Sequence, residues 1–182
     1  MYSLFILGQL MDVPMSGYAL RQSMINVLGR PYVIGWGTLY PLLDRLSEQG
    51  DIILHDDVNN DSKRKKRLAE ITQAGQKHFF EMILEPVKIT KQTEQLLQVK
   101  CNFLHLLNQE QAKMVLNDYQ DYCLTGLVSI REHRQLVSDR QWLTPADERD
   151  FHQVTDLQSD GLQVQLDWVR KQLKSLKRHK EV

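Results

Sequence analysis

The string "GTLYPLLDRLSEQG", residues 37–50, sets Leu39, Leu42, Leu43 and Leu46 at i, i+3, i+4 and i+7, and "DIILHDDV" follows without a linker. The first string has the period of an amphipathic helix with one buried face, and the second reads as a short strand. Gly50 marks the stop between them. A helix that must bury one face and then passes directly into a strand needs helices to pack on and a second strand to pair with. Both are present. Upstream, Leu4, Phe5, Leu7 and Leu10 predict a short buried helix that ends at "DVPM". Ser16 stands as an N-cap before Tyr18, Leu20, Met24, Val27 and Leu28, and Gly29 and Pro31 close that second helix. In the third helix Pro41 is expected within the first turn, where its missing N–H costs little.

Downstream, "NND" at 59–61 reads as a turn, and Leu68, Ala69 and Ile71 as the return strand of a hairpin. Thr72 then caps a fourth helix, "QAGQKHFFEMILEPV". The order helix, helix, helix, hairpin, helix is that of a winged helix-turn-helix with a two-stranded β-wing. From about residue 86 the pattern is purely helical. Leu96, Leu97, Phe103, Leu104 and Leu107 form one stripe. Asn108 caps a long helix striped by Ala112, Val115, Leu116, Tyr119, Cys123, Leu127 and Ile130. After "SDRQW", Thr144, Pro145 and Asp147 make a capping-box start to a last helix striped by Phe151, Val154, Leu162, Leu166, Val169, Leu173 and Leu176. Three long helices with single stripes cannot close a thick core alone and are suited to packing on a second copy. The expected fold is mainly α, with residues 1–85 a DNA-binding winged helix and 86–182 a helical dimerisation domain.

Five consecutive cations, Lys63, Arg64, Lys65, Lys66 and Arg67, fall on the tip and return strand of the wing, although the formal net charge is +0. Neither part of the chain is basic in bulk: residues 1–85 hold 9 Lys/Arg against 10 Asp/Glu, and 86–182 hold 14 against 13. A nucleic-acid surface must therefore come from arrangement. A hairpin gains nothing from five adjacent like charges. On a wing beside an amphipathic third helix, they are suited to phosphate contact. Thr38 and Tyr40, on the outward face of the third helix, can bond phosphates or base edges. Arg45 can read guanine, contact the backbone, or pair with Asp44 or Glu48. Asp44 and Glu48 are expected to face away from an anionic partner.

Catalytic and metal readings find little support. The six histidines show no paired metal-ligand spacing, and "HDD" at residues 55–57 would point adjacent strand side chains to opposite faces. There is no Gly-rich phosphate loop and no nucleophile elbow. Cys101 and Cys123 lie apart without a CxxC, a usage that fits a reducing cytosol. Trp142 and Trp168 either line an effector pocket or serve packing. The apolar N-terminus lacks a basic leader region and a small-residue cleavage site, and no stretch approaches the roughly 20 apolar residues of a membrane span. The expectation is a cytoplasmic protein that is not an enzyme, with no cofactor, metal or membrane partner.

Over residues 4–77 the strings "ILGQLMDVPMSGYALRQSM", "GTLYPLLDRLSEQGDI" and "ITQAG" resemble the PadR family of bacterial transcriptional regulators. The Ser16-Gly17-Tyr18 and Tyr40-Pro41 strings occur in that family's order. The length of the tail is similar to that of larger-tailed members, which include phenolic-acid-responsive repressors. The resemblance implies a homodimer on a pseudo-palindromic operator in double-stranded DNA, usually as a repressor, with Ser16, Tyr18, Thr38 and Tyr40 near the DNA and the wing beside them. A small aromatic effector is the implied ligand class, with no residues assigned to it. Two departures stand out: Asn59 and Asn60 form the wing turn where the family often has Gly and Pro, and Ala69 stands where it often has Tyr. The competing readings are a winged-helix module whose basic wing docks an acidic protein, and a repressor without a small-molecule effector.

Overall fold

A computed structural model describes residues 1–56, 67–138 and 144–178. The chain forms two compact units, the first ending at Leu106 and the second beginning at Leu107. The predicted turn at 59–61, the cations at 63–66 and Trp142 lie outside the described residues.

In the first unit α1 (Tyr2–Leu10) is buried from Leu4 through Gly8, as an apolar helix enclosed on all sides must be. Around it lie α2 (Gly17–Leu28), a 3₁₀ turn (Arg30–Tyr32), α3 (Trp36–Glu48) and α4 (Gln73–Leu84). The sheet is a winged-helix hairpin with an addition. Strand β1 (Met15–Ser16) pairs with β3 (Arg67–Ile71), which pairs with β2 (Ile52–Asp56), giving three antiparallel strands in the order β1-β3-β2. The expected two-stranded wing is thus extended by the two residues before α2, too short a run to announce itself by alternation. Ala69 pairs with Met15 on one side and Leu54 on the other, and is buried. A central strand packed on the core leaves room there for a methyl group.

The base of the wing is pinned by local chemistry. Thr72 caps α4 as expected, its hydroxyl oxygen accepting from the Gly75 amide at 3.0 Å. The same hydroxyl donates to the Gly50 carbonyl at 2.6 Å, and the Thr72 amide donates to the Asp51 carbonyl at 2.9 Å. Asp51 is buried and meets Nδ1 of His78 at 2.7 Å. A Cβ built on Gly75 would lie 2.0 Å from the Asp51 carbonyl oxygen, so the first turn of α4 can approach this loop only with glycine there.

Two expectations need correction. Pro41 is not in the first turn of α3: the helix begins at Trp36, which makes Pro41 its sixth residue. Its ring nitrogen leaves the Gly37 carbonyl without the usual amide partner. The Thr38 and Leu39 amides, both donating to the Gly35 carbonyl at 3.0 Å, hold the start of the helix. Nor do three long helices follow the wing. Residues 93–102 form a short α5 (Thr93–Asn102) that stops at Phe103 and belongs to the first unit, which runs past the boundary expected at 85/86. The reason is aromatic packing. Phe103 lies edge-on to Phe5 (5.9 Å) and Phe79 (5.7 Å) and over Gly8, which fixes the end of α5 in the core of the first unit.

The second unit is a helical hairpin of α6 (Gln109–Ser138) and α7 (Pro145–Arg178). Both helices start on reciprocal caps. Asn108 and Gln111 exchange side-chain-to-amide bonds at 2.9 and 3.1 Å. Asp147 accepts from the Thr144 hydroxyl at 2.7 Å, and its amide donates back at 3.2 Å. Val115, Leu116, Cys123, Leu166 and Val169 are buried between the helices. Leu162 packs on Gly126. Val154, expected in the α7 stripe, is exposed, and Thr155 takes the buried position. Arg134 of α6 holds it there, donating to the Thr155 hydroxyl at 2.7 Å and to Asp156 at 2.5 Å.

Candidate nucleic-acid interface

Helix α3 divides into two faces. Leu39, Leu42, Leu43 and Leu46 are buried at 6% exposure or less, while Trp36, Thr38, Tyr40, Asp44 and Arg45 are exposed. Such a split leaves the outer face free to contact a partner, and in helix-turn-helix proteins the N-terminal residues of this helix enter the groove.

The structure brings several of the predicted residues together. Ser16 ends β1 and caps α2, its hydroxyl oxygen accepting from the Ala19 amide at 3.2 Å. That contact turns the chain so that Tyr18, in the first turn of α2, lies at the start of α3. The Tyr18 and Trp36 rings are stacked at 6.4 Å and 16°, and those of Trp36 and Tyr40 at 5.8 Å and 23°. Arg21 lies over the Trp36 ring at 4.9 Å, its Nε donating to the Ile34 carbonyl at 3.4 Å. A Cβ on Gly17 would meet the Tyr40 ring at 3.3 Å, so glycine between Ser16 and Tyr18 lets α2 and α3 close on each other.

One turn beyond Tyr40, Asp44 accepts from Arg67 of β3 at 2.9 Å, with both side chains about half exposed. This ion pair ties the return strand of the wing to α3. Asp44 therefore pairs with a wing cation and not with Arg45. Arg45 is exposed in the last turn of α3, where a cation complements the helix dipole. Thr38 is exposed in the first turn. Lys63, Arg64, Lys65 and Lys66 lie outside the described residues. His55 of "HDD" meets Glu70 across the strands at 3.0 Å. Among the described residues no group of three or more His, Cys, Asp or Glu side chains gathers to hold a metal, and no helix is long and apolar enough to cross a membrane.

Trp36 is not among the residues expected at this surface, because the helix string read from the sequence starts at Gly37. Once α3 starts at Trp36, its position four residues before Tyr40 puts the two rings on one face. Trp168 lies 6.4 Å from Tyr119 on the α6–α7 hairpin and remains 43% exposed.

Residues 6–81 match the transcriptional regulator PadR-like family. No curated protein sequence matches the chain. Among solved structures, the chain is similar to Bacillus subtilis PadR in complex with operator DNA, at 18% identity over 96% of this chain and 98% of that one, with a TM-score of 0.46. It is also similar to the putative transcriptional regulator TA0346 from Thermoplasma acidophilum, at 25% identity over 59% of this chain and 91% of that one, with a TM-score of 0.41. A third is smu.1604c from Streptococcus mutans, at 21% identity over 99% of this chain and 98% of that one, with a TM-score of 0.43.

Proposed function

Because residues 6–81 match the PadR-like family of transcriptional regulators, we propose that the protein is a member of it and a cytoplasmic, homodimeric, sequence-specific DNA-binding repressor released by a small-molecule effector. One observation carries the DNA-binding part. The exposed face of α3, the N-terminus of α2 and the return strand of the wing form one continuous surface, joined by the Tyr18–Trp36–Tyr40 stack and the Arg67–Asp44 pair. On this reading Thr38 and Tyr40 face the major groove, Ser16 and Tyr18 lie at its edge, and Arg45 and the wing cations Lys63–Arg67 meet flanking phosphates.

The homodimer is supported by the outer face of α7. Val154, Leu157, Val164 and Trp168 are all exposed, at spacings that with Gly161 alternate three and four residues. A second heptad-like seam on a helix already packed along its first is suited to a second copy. The effector is supported by a cavity of about 260 Å³ between α1, the end of α4 and α5. Leu4, Met82, Pro86 and Leu96 line it with apolar surface, and buried Lys100 lines it with a cation whose Nζ donates to the Glu85 carbonyl at 2.5 Å. Lys88 and Glu85 also line it, and a ring-sized acid matches this combination of apolar walls and lysine cations.

The test is a mobility shift across a salt series, comparing the protein's own upstream DNA with random duplex. Preference for one duplex by a dimer is the expected result. Binding to neither duplex, with capture of an acidic protein instead, would make the wing a protein-docking device. For the effector, small aromatic acids should raise the melting temperature and release the DNA, since a ligand that binds only the folded protein stabilises it. Lys100→Met should abolish that response. No shift with any such acid leaves a repressor without an effector.

A further inference from the structure

The stacked rings on α3 ask for an explanation beyond packing. Helix α3 is already anchored by four buried leucines, so three large rings outside that stripe add nothing the core needs. They are not hidden from water either: Tyr18 is 66% exposed, Trp36 40% and Tyr40 47%. Trp36 stands in the middle, at the first helical position, between Gly35 and Gly37, and a Cβ added to either glycine would meet nothing within 4 Å. The two glycines add no side chain beside the indole, which keeps an open edge. Its position is nevertheless set, because Tyr18, Tyr40 and the Arg21 guanidinium each lie against it. A large apolar group that is both exposed and held is suited to a partner surface.

The chemistry of that partner follows from the surroundings. Arg21 lies over the middle ring, and Arg67, held by Asp44, lies one turn beyond Tyr40, so guanidinium groups border the exposed rings. A DNA major groove presents the complementary pattern, with phosphates at its two rims and, on its floor, one apolar substituent, the 5-methyl group of thymine. The tyrosines carry hydroxyls that can bond phosphates, whereas the indole offers an apolar surface and a single N–H donor.

We propose that Trp36 reads thymine, packing its indole against one or two thymine methyl groups where α3 enters the groove, so that part of the operator preference is apolar. The inference rests on the reading of α3 as a recognition helix. Asp, Asn or Gln at this position would read donors and acceptors; the indole reads the methyl.

A duplex is first selected from a random pool with the wild-type protein, and its thymines are then replaced singly by deoxyuridine, which keeps base pairing and removes only the methyl group. Wild-type protein should lose affinity at one or two positions in each half-site, by about fourfold per methyl, the scale of burying one such group. Trp36→Ala and Trp36→Gln, each confirmed as folded by its cooperative melting, should bind the thymine duplex more weakly and be indifferent to the same replacements, with an unchanged salt slope. Either variant keeping the full thymine preference overturns the role of Trp36 alone, as does a wild type insensitive to every replacement. A pool from which wild type enriches no sequence overturns the recognition-helix reading itself.

Discussion

Gly75 and Asp51 illustrate how single atoms set this fold. The Asp51 carbonyl occupies the space where a side chain at residue 75 would begin, and backbone is less able to give way than a flexible side-chain end. Gly75→Ala should therefore destabilise the protein by about 1–3 kcal/mol, read as a lower urea midpoint at unchanged slope. Asp147 is a second case. The Thr144 hydroxyl, and then the Thr144 amide, hold its carboxyl below the ordinary carboxylate range. A depressed folded-state value means that the contribution is complete above the ordinary carboxylate value and is lost as pH falls through the lowered one. Thr144→Ala should move the Asp147 titration, followed by carboxyl NMR, up toward the ordinary value but not all the way, because the residue-144 amide still donates. The Cys101 thiol, pushed up to about 12 by burial against the opposing pull of Lys100, stays protonated at neutral pH. Caps such as Ser16, Thr72 and Thr144 are legible in sequence because donor and acceptor lie three residues apart. Trp36 was not, because its meaning depends on Tyr18 arriving from another helix.

At the scale of elements, the helices and the hairpin were readable from periodicity and stop signals. What escaped were features created by contact between elements. The pairing of β1 rests on two residues that carry no pattern of their own. The stop of α5 at Phe103 is decided by Phe5 and Phe79, far away in the chain. The Arg67–Asp44 pair joins residues 23 apart that lie in different elements. It is an exposed pair, so its own stabilisation is small, about 0–1 kcal/mol. Its influence on a bound anion is larger in consequence than in energy. Asp44→Ala should raise affinity for any duplex roughly two- to fivefold at low salt, on the scale of one exposed ion pair, whereas Lys63→Ala, Arg64→Ala and Lys66→Ala should each lower it and flatten the salt slope by about one unit per lost phosphate contact. Equilibrium binding across a salt series checks both signs.

At the scale of the molecule, the exposed seam on α7 is where the proposed second copy would pack, making two readers of one. Leu157 is 74% exposed, more than any other large apolar side chain among the described residues, and it lies in the middle turns of that seam's N-terminal half. Leu157→Glu should weaken self-association by on the order of tenfold or more, seen by sedimentation equilibrium, while leaving the melting of the winged helix unchanged. Loss of operator preference should follow from the loss of the second half-site. The sequence reading placed Val154 in a single inward stripe of α7, whereas Thr155 and not Val154 is drawn under Arg134. The Arg67–Asp44 pair has a last consequence at this scale. Arg67 is already neutralised by its own chain, so a lone small anion has little to gain by displacing Asp44. In the proposed dimer a polyanion would lay many charges along both subunits at once and could make that exchange twice in one event. On that reading the carboxylate would act as a threshold that separates a duplex from the free phosphates and nucleotides around it.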